Sequence, residues 1–369
     1  MKRTLISLTL VLSCISAHAQ KFDYDVDFQY LFNNGSYQAS RNIFEETGTL
    51  NSAVLTPWLG LRVDQFGEIS HSLMFGVDLR KDLGFKTPFD NSTEILFYYN
   101  LKAEIGNGVF SSMLGSFPRS FSEGYYDNAF FSDIDLFNDR FYDGISLKYK
   151  SKKFYAELVA DLMSAKEKTE RFKFQALTAG TWKFWGPFSF GWSGRFFKFG
   201  ESLDAPNTVL SAMANLYLKY SPRIGMDRFD ITAGWIQTYQ HDLAFGDVAM
   251  PGGAAVVLNL NKWGIGLDNN FYFGEDLMPF YSYSFNDYVY GSNLYPAKAF
   301  YHTKIDGFSF YDRAELYYSL DIASWINIKL AFDFHLGNPT SIIGFFRGWQ
   351  QVLSVKFDLG ALTPSGRKY

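Results

Sequence analysis

The sequence predicts an all-β protein: a transmembrane, antiparallel up-and-down β-barrel of about sixteen strands, within a range of about fourteen to eighteen. Three observations predict this fold. Apolar and polar residues alternate along most of the chain, short and long connections alternate between these segments, and aromatic residues make up 19% of the 369 residues. Mean hydropathy is nevertheless slightly negative, as expected when each strand has one apolar and one mostly polar face.

The N-terminal residues 1–19 have the features of a secretory signal peptide. Two basic residues precede the apolar run Leu5–Ile15, which is too short to span a bilayer, and Ala17-His18-Ala19 is a small-x-small cleavage site. An alternative is a lipoprotein signal that would anchor the chain through Cys14. Removing 19 of 369 residues leaves 350, and losing two basic residues changes the formal net charge from −4 to −6. Residues 20–369 are predicted to form a single barrel domain.

Composition excludes several other classes of protein. The one cysteine lies in the predicted signal peptide, so disulfides and zinc–thiolate sites are not expected. There is no Lys/Arg-rich tract, so nucleic acid is not an expected partner. After the signal peptide no apolar run approaches the ~18 residues of a transmembrane helix.

The first predicted strand, 22–31, shows the alternation most clearly. Its apolar positions begin with Phe22 and Tyr24, and three aspartates, Asp23, Asp25 and Asp27, lie between them. In a closed barrel the apolar face contacts lipid and the polar face lines the water-filled interior, while closure satisfies every backbone hydrogen bond. The remaining predicted strands cover 50–63, 69–80, 92–105, 108–118, 140–150, 152–163, 170–184, 187–199, 208–220, 227–239, 253–261, 262–274, 308–321, 325–335 and 346–360.

The connections alternate in length, as they do in a chain that crosses a membrane up and down. Short periplasmic turns are predicted near 65–68, 106–107, 151, 185–186, 221–227, 261–262 and 322–324. Long outer loops are predicted at 32–49, 81–91, 119–139, 164–169, 200–207, 240–252, 275–307 and 336–345. This order places both termini on the periplasmic side and predicts an outer-membrane location.

Aromatic residues fall at or near many predicted strand ends. Interfacial girdles of membrane barrels contain Trp and Tyr at these positions, although aromatic residues favour strands in general. The residues assigned to girdles are Trp58, Phe97, Tyr99, Phe184, Trp185, Tyr220, Trp263, Tyr317, Tyr318, Trp325 and Trp349.

The stretch GSFPRSFSEGYYDNAFFSDIDLFNDRFYDGISLKY, residues 115–149, resembles the strand–loop–strand region of porins in which the third outer loop folds into the channel. The chain as a whole resembles porin-like Gram-negative outer-membrane β-barrels, both general and anion-selective, and more so the aromatic-rich type of gut anaerobes. The resemblance implies passive diffusion of small hydrophilic solutes, a homotrimer and no cofactor. Two features matter for this resemblance: the last strand does not end the chain on Phe, and no plug domain precedes the first strand, which argues against a TonB-dependent transporter.

Charged residues give the candidate pore lining. If the loop 119–139 constricts the lumen, it brings acidic groups opposite basic groups on inward-facing strand positions, and a transverse field would favour polar solutes. The alternative is that these charges pair locally and the loop packs outside. The acidic residues are Glu123, Asp127, Asp133, Asp135 and Asp139, and the basic residues are Arg62, Arg80, Lys102, Lys148, Arg171 and Lys173.

Other uses of the same loop are weaker. Asp133, Asp135 and Asp139 lack the glycine and the terminal glutamate of a calcium loop, so no metal site is predicted. Phenylalanines of the loop, among them Phe130 and Phe131, are interpreted as wedges against the barrel wall rather than as a track for sugar rings.

No catalytic or cofactor-binding residues are predicted, and the protein is not expected to be an enzyme. A barrel enzyme acting on lipid would need Ser and His together on the lipid face, but His71 has the outward parity while Ser70 and Ser72 face inward. A second alternative is a receptor or accessory barrel that binds a ligand or partner through its Tyr-rich loop 275–307. The favoured prediction is an outer-membrane channel whose partners are membrane lipid and small hydrophilic solutes.

Overall fold

The fold is taken from a computed structural model. It describes residues 20–37, 48–65, 67–83, 92–131, 133–163, 174–199, 209–243, 246–282, 284–285, 288–289, 309–339 and 344–358. Within these ranges, no helix is both long and apolar enough to cross a bilayer.

Sixteen long antiparallel strands account for most of the described residues. In chain order they are β1 (Gln20–Tyr37), β2 (Gly48–Gln65), β3 (Ile69–Asp82), β4 (Thr93–Ile105), β5 (Gly108–Pro118), β6 (Phe141–Ser151), β7 (Phe154–Asp161), β8 (Phe174–Trp185), β9 (Phe188–Phe199), β10 (Val209–Tyr220), β11 (Arg228–Asp242), β12 (Gly252–Lys262), β13 (Ile265–Gly274), β14 (Ser309–Ala323), β15 (Ile326–Gly337) and β16 (Phe346–Asp358).

The sheet closes on itself because β1 pairs with both β2 and β16. Gln20 is opposite Val63 of β2, and Asp27 is opposite Asp358 of β16. Every long strand therefore has a partner on each side, which removes the sheet edges. The predicted sixteen-stranded, all-β, antiparallel barrel is confirmed.

The two ends of the barrel differ in their connections. One end, the turn end, has connections of two to seven residues, and the other, the loop end, has connections of eight to thirty-four residues. Trp263 and Gly264 join β12 to β13 with φ angles of 54° and 81°, the left-handed conformation at both positions that a tight type I′ hairpin requires. The first residue of β1 and the last residue of β16 both lie at the turn end.

Side chains alternate between the outer surface and the interior as the sequence predicts. In β1 the side chain of Phe22 is exposed while Asp23 and Asp25 are buried. The outer surface carries exposed large apolar residues on strand after strand, among them Ile95, Leu158 and Leu216, the pattern of a membrane barrel.

The girdle assignment holds at some positions and fails at others. Trp185, Trp263 and Tyr318 are exposed near the turn end. Trp58 and Tyr317 are buried, since both occupy inward-facing positions of their strands, and assigning them to a girdle was wrong.

The interior is less polar than predicted. Inward-facing Met74, Tyr98 and Leu177 belong to one buried apolar cluster that also contains Phe121 and Phe130 from the β5–β6 connection. An inserted apolar segment needs apolar wall residues to pack against, because burying polar wall groups without partners would cost free energy. The mostly polar face predicted for the interior is therefore interrupted by apolar residues where the β5–β6 connection packs against the wall.

A few elements differ from the predicted boundaries. β1 extends to Tyr37, well into the predicted first outer loop, and β8 is described from Phe174 because 164–173 lie outside the described residues. The two-residue strand Val248–Ala249 pairs with β11. Ser284–Phe285 and Tyr288–Val289 pair with each other.

Candidate functional site in the barrel interior

The candidate site is built around residues 119–140, the connection between β5 and β6, here called the lumen segment. It begins with a 3-10 turn, Arg119–Phe121, and includes a short helix, α1 (Asp133–Asn138). The backbone N–H of Arg119 donates to the carbonyl of Arg140 at 2.8 Å, so the two ends of the segment are adjacent. The segment thus leaves and rejoins the barrel wall at the same place.

One side of the lumen segment is fixed to the wall formed by β6 and β7. Lys148 donates to the carboxylate of Glu123 at 2.9 Å and to the carbonyl of Phe121 at 2.7 Å, and Lys150 also bonds Glu123. The carboxylate of Glu157 accepts the backbone N–H groups of Glu123 at 3.1 Å and Gly124 at 3.2 Å. Burial acts to raise the pKa of Glu123, but the hydrogen bonds from Lys150 and Lys148 hold that pKa below its usual value.

The other side of the lumen segment reaches β13 and β14. Asn270 of β13 donates to Asp127 at 3.4 Å, and Arg313 of β14 donates to Asp133 at 2.8 Å. Arg195 of β9 donates to the carbonyl of Phe130 at 2.6 Å. Since β6 and β14 are eight strands apart in a ring of sixteen, these contacts join opposite walls of the barrel.

Aromatic side chains of the lumen segment are buried, and basic groups of the barrel wall lie over the faces of two of their rings. Phe130 and Phe131 are buried, and the guanidinium of Arg195 lies 4.4 Å from the ring centre of Phe131. The ammonium of Lys148 lies 3.8 Å from the ring centre of Phe121. Such cation–π contacts gain strength when they are shielded from water. The interpretation of Phe130 and Phe131 as packing residues is confirmed by their burial.

Three arginines carry the ion pairs at the ends and the far side of the segment. Arg119 pairs with Asp139, and with Asp161 at 3.7 Å. Burial raises the pKa of Asp139, and the Arg119 guanidinium opposes that shift. Arg140 pairs with Asp78 at 2.8 Å and lies 3.9 Å from Asp27.

Arg313, on β14, is the third of these arginines. Its guanidinium contacts Asp133 at 2.8 Å, Glu315 at 3.2 Å and Asp333 at 2.8 Å. This cation holds the pKa of Asp133 below its ordinary value. Lys329 also pairs with Glu315, so this cluster holds three carboxylates and two cations.

Two cavities border the lumen segment. The larger, about 620 Å³, lies against β1 and β16 and is lined by Asp25, Asp27, Lys356 and Asp358 together with Arg119, Asp133 and Arg140 of the segment. The smaller, about 150 Å³, lies against β12–β15 and is lined by Asn259, Asp268, Asn270, Arg313, Glu315 and Lys329 with residues 125–128 of the segment. Both cavities are lined by charged side chains of both signs.

A second connection also packs into the interior. Residues 275–282, which join β13 to the rest of its long loop, include the one-turn helix α2 (Pro279–Ser282). Leu277 and Met278 are buried in the apolar cluster, and Gln240 of β11 accepts the backbone N–H of Phe280 at 3.2 Å. The predicted binding loop 275–307 therefore has its first residues inside the barrel, while 290–307 lie outside the described residues.

The predicted basic residues occupy different surroundings. Lys148 lies beneath the lumen segment, and Arg80 pairs with Asp82 at 3.1 Å near the ring of Phe137. Arg62 pairs with Asp64 at 2.8 Å at the turn end, well away from the segment. Lys102 is at an inward-facing position of β4, and Arg171 and Lys173 lie outside the described residues.

All five predicted acidic residues belong to the lumen segment. Glu123 faces β6, Asp127 faces β13 and Asp133 faces β14, whereas Asp139 pairs with Arg119 within the segment. Asp135 lies in α1, and its side chain is outside the described part of the structure.

Residues important to the site were also missed by sequence reasoning. Arg119, Arg140 and Arg313 hold most of its ion pairs, and Lys356 lines the larger cavity. The positions of Arg119 and Arg140 at the two ends of the loop were the available signal, together with the inward parity of Arg313 in its strand.

Two histidines of the described strands are hydrogen-bonded to tyrosines, and neither belongs to a candidate metal centre. The described residues contain no group of three or more His, Cys, Asp or Glu side chains arranged to hold a metal ion. His71 is hydrogen-bonded to Tyr99 at 2.6 Å, and His335 contacts Tyr311 and Gln350 inside the barrel.

Comparison with known proteins places the fold. The chain is similar to OmpT, an outer membrane protein of Vibrio cholerae solved as a loop L8 deletion mutant, with a TM-score of 0.55, 12% identity, and coverage of 92% of this chain and 99% of that one. It is also similar to Pseudomonas aeruginosa OccK1 (OpdK), with a TM-score of 0.49, 9% identity, and coverage of 92% and 98%. No family model and no curated protein sequence matches the chain.

The OmpT likeness extends over nearly the whole of both chains, so it concerns the complete barrel. At 12% identity it shows the fold alone. The resemblance to porin-like outer-membrane barrels that the sequence indicated is thereby confirmed at the level of the fold.

Proposed function

We propose that the protein is an outer-membrane channel of the porin type, through which small hydrophilic solutes diffuse passively. The observation that carries this proposal is the cavity of about 620 Å³, lined by charged side chains of both signs, inside a closed barrel whose outer surface is apolar. A diffusion channel requires water and charged side chains on the inside of the barrel and lipid on the outside.

The lumen segment narrows the passage in this proposal. Its contacts with β6 on one side and with β13 and β14 on the other support a position across the interior. Solutes then pass beside the segment, along the wall of β1 and β16, where the larger cavity lies. A homotrimer and a cleaved signal peptide remain part of the proposal, on the resemblance and on residues 1–19 respectively.

A size-exclusion experiment tests the role of the lumen segment. Because Pro118 pairs with Phe141 across the base of the segment, replacing residues 120–139 with a short Gly-Ser-Gly linker leaves the β5–β6 pairing intact. Purified protein is reconstituted in liposomes, and swelling rates are measured with a neutral sugar series from pentoses to trisaccharides.

The expected result is that the unmodified protein admits the small sugars and excludes the large ones, and that the variant admits larger sugars at higher rates. A matched control shortens the 275–308 connection by the same number of residues beyond residue 282, and the size limit is expected to stay unchanged. Equal size limits for the protein and the 120–139 variant would contradict the narrowing role.

A receptor or accessory barrel is the second candidate, and one observation favours it. Residues 275–282 bring the fully buried Leu277 and Met278 into the same apolar cluster as Phe130, so two connections occupy the interior. A barrel closed by both connections would bind a partner at the loop end instead of passing solutes. Failure of folded protein to admit even the smallest sugar would favour this candidate.

A lipid-modifying enzyme is the weakest candidate. His71 bonds Tyr99 on the outer surface, whereas the neighbouring Ser70 accepts from Arg62 on the opposite face of its strand.

A further inference from the structure

Three arginine–aspartate pairs of the site, one for each of Arg119, Arg140 and Arg313, share one orientation. In each, the guanidinium is covered by protein and the carboxylate faces open space. The exposed fractions of the two side chains are 7% and 47% for Arg119 and Asp139, 12% and 41% for Arg140 and Asp27, and 13% and 63% for Arg313 and Asp133.

Aromatic rings account for part of this covering. The guanidinium of Arg119 lies 4.4 Å from the ring centre of Tyr142, and that of Arg140 lies 5.6 Å from the ring centre of Phe141. Planar guanidinium groups stack on aromatic faces and are less strongly hydrated than an ammonium. The positive end of each pair is thereby withdrawn from the water of the lumen.

A second, covered carboxylate lies beside each arginine. These carboxylates belong to Asp161 for Arg119, Asp78 for Arg140 and Asp333 for Arg313, and the exposed fractions of their side chains are 4%, 12% and 0%. The buried carboxylate balances the arginine, so the exposed carboxylate adds a net negative charge to each group.

The larger cavity shows the same imbalance. Of the three basic residues that line it, Arg119 and Arg140 are covered, and Lys356 is the exposed one. Asp27 and Asp133 line the same cavity with exposed carboxylates. An excess of exposed negative charge between low-dielectric walls concentrates cations in a narrow passage.

We infer that the passage prefers cations, and that organic solutes bearing an ammonium group permeate faster than carboxylates of the same size. This inference rests on the proposed channel function. The exposed aspartates of the three pairs set the preference, and Lys356 opposes it.

Reversal potentials in a potassium chloride gradient across a planar bilayer test the inference. The unmodified protein is compared with the triple variant D27N/D133N/D139N and with K356Q. Each asparagine removes an exposed charge while the covered carboxylate still pairs with its arginine. Heat-modifiable electrophoretic mobility checks that every variant is folded.

The expected permeability ratio of potassium to chloride exceeds one for the unmodified protein, falls toward one for the triple variant, and rises for K356Q. Liposome swelling should follow the same order for ethanolammonium against glycolate, with ethylene glycol unchanged throughout. A chloride preference, or a triple variant with an unaltered ratio, would overturn the inference. Folded protein that carries no current would overturn the proposed channel function and the inference with it.

Discussion

The pair formed by Arg140 and Asp78 is expected to stabilise the lumen segment more than any exposed pair of the barrel does. Their side chains are each 12% exposed and 2.8 Å apart, and Asp78 also accepts from the hydroxyl of Thr56 at 2.5 Å. Replacing Arg140 with glutamine leaves a covered carboxylate without its cation. Removing one partner of a buried pair costs about 3–5 kcal/mol, and because the Thr56 hydroxyl still donates, we expect about 3 kcal/mol for R140Q.

Arg62 and Asp64 supply the matched control. They have the same residue types at the same 2.8 Å, but their side chains are 30% and 27% exposed, and Lys21 also pairs with Asp64 at 3.0 Å. Exposed pairs contribute about 0–1 kcal/mol, so R62Q is expected to cost at most about 1 kcal/mol. The same Arg→Gln change is thus compared at two levels of burial.

The assay is urea unfolding of protein folded in detergent micelles or lipid vesicles, followed by tryptophan fluorescence. The double variant D78N/R140Q should recover most of the stability lost in R140Q, since removing both members of a buried pair costs far less than removing one. Two results would refute the assignment of Arg140 as a buried anchor. One is an R140Q variant that loses as little stability as R62Q, and the other is a double variant that loses the sum of the stabilities lost by D78N and R140Q alone.

Three further predictions concern the outer surface, the strand packing and pH. L158R places a charge on the outward face in the middle of β7 and should lower the free energy of unfolding by about 2–4 kcal/mol, whereas F184R near the turn end should cost about 0–1 kcal/mol in the same urea titration. G76V should prevent folding or lower stability strongly, because a Cβ there would lie 2.4 Å from an indole carbon, while G48A, with nothing within 4 Å, should be near neutral by heat-modifiable mobility. The folded-state pKa of Glu123 lies below its ordinary value of 4.5. Its contribution to stability should therefore be complete above pH 4.5 and be lost as the pH falls through the lower folded-state pKa. Melting curves at pH 3, 5 and 7 should show this loss of stability, and E123Q should show less of it, whereas equal pH profiles for the two proteins would contradict the assignment.

The barrel itself was predictable because its determinants are local. Period-two alternation fixes which side chains face outward, and the contrast between short and long connections fixes the up-and-down order. The turn predicted at 261–262 lies two residues later in the structure, at Trp263 and Gly264, where both φ angles are positive. These signals are repeated in strand after strand, so errors of a few residues at the boundaries do not change the fold.

The interior was less predictable because its contacts join distant parts of the sequence. Arg140 pairs with Asp78, which lies 62 residues earlier, and Asp127 meets Asn270, which lies 143 residues later. Val159 and Leu177 are inward-facing apolar residues whose partners are known only once the lumen segment is placed. No pattern within one strand reports such pairings.

The sign of the lumen charge shows the same limit. From the sequence, acidic loop residues and basic wall residues appear as two opposed rows. In the structure, Lys148 lies buried beneath the lumen segment, where it holds Glu123 and Phe121. A basic residue at an inward-facing position therefore need not face the solute, and which charges remain exposed depends on tertiary packing.

Single-channel recording of the purified, mature protein in a planar bilayer tests the channel proposal most directly. The structure predicts discrete current steps from channels that are open most of the time, with larger steps after residues 120–139 are replaced by the short linker. Folded protein that inserts into the bilayer without conducting, with or without the lumen segment, would contradict the proposal.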